Sequence, residues 1–102
     1  MKNIKTEYDI RKGFRTPSEI RSKKNNIGDE VLVVGLVMYM WFSLLRDAYI
    51  LVLMDDNSSI RVDIGKNKLN LMSGDKVWVK GKITLFENLL CVKADAIRTN
   101  NW

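Results

Sequence analysis

Two β-branched runs in this chain, 31–39 and 76–83, each carry a glycine near the middle, Gly35 and Gly81. Glycine weakens a strand interior, so its presence there marks a bulge, a sharp bend or a close backbone approach. Val31-Leu32-Val33-Val34-Gly35-Leu36-Val37-Met38-Tyr39 reads as one long strand with a bulge at Gly35. Ala48 to Met54 is a second strand, and Asp55-Asp56-Asn57-Ser58-Ser59 supplies turn residues before a third, Ile60 to Ile64. A polar connection from Gly65 to Gly74, long enough for one helical turn, leads to a fourth strand, Lys76 to Ile83. Phe86-Glu87-Asn88 then turns into a fifth, Leu89 to Ile97. A chain of 102 residues has room for one core and none to spare for a second.

The net charge of +5 is unevenly placed. Residues 1–27 hold eight basic residues, among them Arg11, Lys12, Arg15, Arg21, Lys23 and Lys24, against three acids, and residues 28–102 hold nine of each. A basic arm on a neutral body is the footprint of a tail that meets phosphate or another acidic surface, although a solubilising tail would carry the same charge. Its large apolar residues are few, Ile4, Tyr8, Ile10, Phe14 and Ile20 among them, too few to fold alone, so the arm is expected to be mobile or laid across the body. Thr16-Pro17-Ser18-Glu19 combines a capping hydroxyl, a proline at the first helical position and a glutamate three residues after the cap. A short helix from Pro17 to about Lys24 follows.

Catalysis has little to work with. Histidine is absent, which removes the commonest general base and metal ligand, and one cysteine makes neither an internal disulfide nor a thiolate metal site. Cys91, in Leu89-Leu90-Cys91-Val92, reads as a small core residue, and Asp55-Asp56 as a turn. Gly65-Lys66-Asn67-Lys68 lacks the remaining glycines of a phosphate loop. No enzyme activity, metal or cofactor is expected. The uncharged stretch Val31 to Leu45 has 15 residues, short of the roughly 20 of a spanning helix, and reads as strand, so no membrane role is expected. Without the charged start and apolar stretch of a signal peptide, a cytoplasmic location is the expectation.

Five short strands with glycines midway along the first and fourth resemble an OB-fold over about residues 28–98. The residues that carry the likeness are Gly28-Asp29-Glu30-Val31 with Val33, Gly35 and Val37; Leu51 to Asp56 leading to Ile60-Arg61-Val62; Gly74 to Ile83; and Leu90 to Ile97. The expected architecture is therefore all-β: a small five-stranded OB-fold barrel at 28–98, a basic N-terminal arm at 1–27 with one short helix, and a tail at 99–102. The pattern is similar to the nucleic-acid-binding OB domains of anticodon-binding, replication and single-strand-binding proteins. That resemblance implies a binding face on the second and third strands and on two loops, here about Met40–Asp47 and Thr84–Asn88. Such faces stack bases on aromatic rings and hold the backbone on cations. The matching positions are Tyr39, Trp41, Phe42 and Arg46 around the first loop, Tyr49 and Arg61 on the strands, and Phe86 at the second loop. Trp78, Lys80 and Lys82 alternate along the fourth strand and share one face. Each aromatic alone is more often packing than platform. Trp41-Phe42 is the exception, because a loop tip has no core for two bulky rings to enter.

The first two strands depart from the pattern. A strand half exposed on a barrel alternates apolar with polar, yet both parities here are apolar. Leu32, Val34, Leu36 and Met38 in the first strand, with Ile50, Val52 and Met54 in the second, form one such row. Left uncovered, seven such residues forgo on the order of several kcal/mol of burial. The arm, a second copy or another protein has to cover them, and the arm is poor in apolar residues. The expected function is thus a non-catalytic accessory subunit that binds single-stranded DNA or RNA while docked on a larger replication or repair enzyme, a polymerase or primase by preference. The alternative is a purely protein-binding OB subunit or homodimer.

Overall fold

The apolar runs form five strands, β1 (Glu30–Ser43), β2 (Ala48–Met54), β3 (Ser59–Asp63), β4 (Lys76–Phe86) and β5 (Leu89–Thr99). In this computed structural model, which describes residues 4–99, they close into a barrel in the order β1-β2-β3-β5-β4. Neighbouring strands are antiparallel, except that β3 runs parallel to β5. Asn100, Asn101 and Trp102 of the expected tail lie outside the described residues. The barrel is the all-β OB architecture, joined by two short helices, α1 (Glu7–Lys12) and α2 (Pro17–Arg21).

β1 closes the barrel by serving two neighbours, pairing with β4 along Glu30–Leu36 and with β2 along Leu36–Ser43. The register shift lies between Val37 and Tyr39, not at Gly35 as the sequence suggested. Gly35 has a different task. A Cβ there would sit 3.0 Å from Leu53 Cβ and 3.2 Å from the Met54 carbonyl oxygen, so the glycine lets two backbones close on each other. Gly81 is more crowded: a Cβ would overlap the Lys93 carbonyl oxygen and meet Val92 Cγ1 at 2.8 Å. The bulge at Met38 settles which row is inside. Val31, Val33 and Val37 pack into the core before it and Met40 after it, with Leu51, Leu53, Ile60, Val62, Val77, Val79, Ile83 and Val92. By alternation Leu32, Val34 and Leu36 face outward before the bulge, and Tyr39 and Trp41 after it.

The strands are longer than their sequence signals. β1 runs to Ser43 and β4 to Phe86, so Trp41, Phe42 and Phe86 are strand residues and the loops shrink to 44–47 and 87–88. Apolar side chains continue both ladders where a loop was expected.

The arm is a working part of the fold. The Arg15 main chain joins the β1 edge, its N–H donating to the Leu32 carbonyl and its carbonyl accepting from Val34, both at 2.9 Å. The Thr16 capping box starts α2 as expected, and the helix ends at Arg21 rather than Lys24. Its Ile20 enters the barrel core, so the arm supplies a helix to that core while residues 65–75 form none. The Asp55 carboxylate locks α2 by accepting from the Ser18 N–H at 2.8 Å and hydroxyl at 2.6 Å. α1 was missed from the sequence, although Thr6 and Asp9 form a second capping box.

This arrangement corrects the expectation that the outer apolar row needs a cover from outside the chain. Val34, Ile50 and Val52 are buried within the chain itself, and Leu32, Leu36 and Met54 are half-buried; only Met38 is exposed. Main-chain pairing brings the arm over β1 with few apolar side chains, and over β2 the outward residues of β1 and β3 do the same.

Candidate nucleic-acid interface

Two of the expected site residues sit opposite each other across β2. Register places Trp41 beside Ile50 and Tyr39 beside Val52, with Arg61 of β3 on the other side of Val52. Ile50, Phe86 and Cys91 form a small outer cluster against which Trp41 packs. The Arg61 guanidinium lies over this cluster, 5.9 Å from the Trp41 ring centre and 5.6 Å from that of Phe86. Tyr39, 53% exposed, stands 5.6 Å from Trp41 at a tilt of 31°. Tyr39, Trp41 and Arg61 therefore make one surface, while Phe86, expected to stack a base, is buried beneath the guanidinium at 5% exposure. Its centre is a cation against two rings, a favourable electrostatic pairing. Yet Nη1 of Arg61 is a buried donor with no acceptor among the described residues. Such a group costs about 1–3 kcal/mol.

Arg46 borders this surface in another role. Its Nε donates to Asp63 at 2.8 Å, its Nη1 to the Leu85 carbonyl at 2.7 Å, and its guanidinium lies 5.7 Å from the Phe86 ring. It ties the β1–β2 loop to the β4–β5 hairpin, with its charge already matched by buried Asp63. Burial pushes the thiol of Cys91, a member of that cluster, up from its ordinary value, so it stays protonated. Among the described residues no group of three histidine, cysteine, aspartate or glutamate side chains is placed to hold a metal ion.

The other expected residues lie elsewhere. Phe42 meets Tyr49 edge-on at 5.0 Å, and alternation puts that pair on the opposite surface of β1 and β2 from Trp41. Trp78 faces the arm, where its Nε1 donates to Asp9 at 2.7 Å and Lys76 Nζ lies 5.1 Å from its ring centre. Lys82 is exposed on β4 beside Asp95, at 3.6 Å. Arg21 donates to the Ser59 carbonyl, and Lys12 lies over the Tyr8 ring. Arg11 is exposed on α1, while Arg15, Lys23, Lys24 and Lys80 line a separate groove between the arm and the barrel.

Asp9 went unnoticed in the sequence and is the most enclosed charge of the arm, with none of its surface exposed. Burial alone would raise its pKa. Hydrogen bonds from the Thr6 N–H, from Lys76 at 2.9 Å and from Trp78 outweigh that and hold it at about 2. Leu44 and Leu45 were also overlooked, and at 86% and 87% exposure they are the most exposed large apolar residues described. The only sequence signal for them was a pair of leucines next to the charged Arg46-Asp47.

A closed five-stranded barrel in the order β1-β2-β3-β5-β4 makes this chain an OB-fold protein, with an aromatic–cationic surface supplied by β1 and β3. No protein-family model matches the sequence, and no curated protein matches it. Among solved structures the fold is similar to the telomere capping protein Ten1 from Saccharomyces pombe, with a TM-score of 0.59 and 18% identity over 85% of this chain and 79% of that one. It is also similar to a chain of the S. pombe Stn1–Ten1 complex, with a TM-score of 0.59 and 19% identity. That second match covers 69% of this chain, which spans 57% of the other's length. At these identities the likeness is one of fold.

Proposed function

We propose that this protein is a non-catalytic OB-fold subunit that binds single-stranded DNA on the Tyr39–Trp41–Arg61 surface while docked in a larger assembly. The observation that carries this reading is the Arg61 guanidinium, held against the Trp41 ring beside exposed Tyr39 with no ion pair among the described residues. A strand that stacks its bases on Tyr39 and Trp41 brings phosphate oxygens beside that charge, and each stacked base contributes about 1–3 kcal/mol.

The likeness to a telomere capping protein and its complex supports an assembly on DNA ends, in place of the polymerase or primase preferred from the sequence. Docking falls to the rim formed by Leu44, Leu45, Leu85 and Leu89, because the rows first expected to dock are largely buried. That rim also favours a second reading, a protein-binding subunit with no nucleic-acid contact.

Anisotropy titration of a labelled oligothymidine decides between the two. Arg61→Met keeps the aliphatic stem and removes the donors, and is expected to weaken binding about tenfold or more with the fold intact. Equal affinity for the folded variant and the native protein would remove the proposed site.

A further inference from the structure

The arm was read from sequence as a charged tail, but its cations are placed by folded structure. Asp9 at α1, the Arg15 main chain on β1 and Ile20 in the core anchor the arm at three points. Between it and the barrel lies a groove of about 620 Å³ whose cations are Arg15, Lys23, Lys24 and Lys80. Several other cations are satisfied inside the molecule: Lys5 by Glu19, Arg46 by Asp63, Lys66 by Asp47, Lys76 by Asp9 and Lys82 by Asp95. None of the four in the groove has an ion pair or side-chain hydrogen bond among the described residues. Two acids share the groove, and one of them, Asp29, accepts from the Asn26 N–H. Four cations against two acids leave the groove positive.

No aromatic side chain lines this groove, so it has nothing on which to stack a base. It offers point charges on flexible stems and one guanidinium fork, which is chemistry for phosphate oxygens without regard to sequence. It is also within reach of the aromatic surface. Leu32, in the groove, and Trp41 lie on the same strand, at most about 30 Å apart. OB-fold sites take about 4–16 nucleotides, so a longer strand leaving the aromatic surface can run into the groove.

We propose that the arm, β1 and β4 form a second polyanion site, in which Arg15, Lys23, Lys24 and Lys80 hold the phosphodiester backbone of a strand whose bases stack on the aromatic surface. The inference rests on the single-strand reading above. It divides the work between two surfaces: one supplies stacking and resists salt, the other supplies counterion release and is salt-sensitive.

The test is a salt series on the full chain with labelled oligothymidines of 6 and 24 nucleotides, comparing the native protein, the Arg15→Ala/Lys23→Ala/Lys24→Ala/Lys80→Ala variant and Trp41→Ala. Each lost phosphate contact lowers the slope of log affinity against log salt by about 0.7, so the fourfold variant is expected to lose between about 2 and 3 with the 24-mer. Its affinity for the 6-mer and its melting temperature should be unchanged. A native slope in the fourfold variant overturns the second site, and so does an equal loss with both lengths. Polyglutamate displacing the 24-mer as well as unlabelled oligothymidine does would make the groove an acidic-protein site and overturn the assignment to nucleic acid. The underlying reading fails separately, if Trp41→Ala binds both oligonucleotides as the native protein does while the fourfold variant loses its slope.

Discussion

Trp78 and Trp41 both point outward from the barrel beside a cation, and only one of them is closed off. On the β1–β4 side, the buried Asp9 carboxylate accepts from the Trp78 indole and from Lys76, so ring, cation and anion satisfy one another under the arm. On the β1–β2–β3 side, no carboxylate among the described residues pairs with Arg61 beside Trp41, and Nη1 of Arg61 is unmatched there. An aromatic–cation pair is a structural joint when an anion completes it, and a receptive surface when none does. Sequence spacing cannot tell the two apart, because the completing residue is 69 positions from Trp78 in the chain.

Breaking the closed side should have the largest effects. Val34→Glu puts a carboxylate in a fully buried position and is expected to unfold the chain, seen as loss of the strand signal in circular dichroism. A folded Val34→Glu protein that no longer associates would instead make that row an interface. Asp9→Ala strands Lys76 and the Trp78 indole without their acceptor, for an expected loss of about 3–5 kcal/mol in denaturant unfolding.

Acid should open the same joint. Asp9 and Asp55 have pKa values of about 2 against an ordinary 3.8. For Asp55, burial raises the pKa, and hydrogen bonds from the Ser18 hydroxyl, the Asn57 N–H and the Ser18 N–H overcome that. A depressed folded value stabilises the protein fully above the unfolded pKa and loses that contribution as pH falls through the folded one. Stability is therefore flat from pH 7 to 5 and falls between about pH 4 and 2, by about 2 kcal/mol for each of these groups. Asp9→Asn should remove its share of that acid sensitivity. An unchanged acid profile in this variant would detach the arm's closure from Asp9.

The comparison sharpens with smaller effects. Trp41→Ala is expected to weaken oligonucleotide binding by about 1–3 kcal/mol in an anisotropy titration and to lower the melting temperature little. Trp78→Ala should do the reverse, and Phe42→Ala should leave binding alone, because that ring meets Tyr49 on the other surface. The same outcome for Trp41 and Trp78 would erase the distinction between the two sides. Leu44→Ser/Leu45→Ser should change stability by no more than about 0.5 kcal/mol, while reducing any self-association measured by sedimentation.

Much of the barrel was legible locally. Alternation, turn residues and mid-strand glycines placed the cores of all five strands, and the Thr16 capping box placed the start of α2, because these signals depend on neighbours in sequence. The site was legible only in part. Trp41, Arg61 and Tyr39 do come together, with Phe86 buried beneath the guanidinium, but Trp78, Phe42 and Tyr49 carry the same residue types and lie on other surfaces. Which of two apolar rows faced inward turned on the single bulge at Met38, which reverses every side chain after it.

The sequence by itself determined five coiled strands, a single core and a basic arm, since periodicity and composition act at short range. Only the tertiary structure decided that the arm belongs to the barrel. It enters through main-chain hydrogen bonds at Arg15, one buried isoleucine and two carboxylates whose partners lie far along the chain. Main-chain bonds leave no signature in side-chain composition. An arm that looked too polar to cover anything therefore closes one side of the molecule, leaving the Trp41–Arg61 side open.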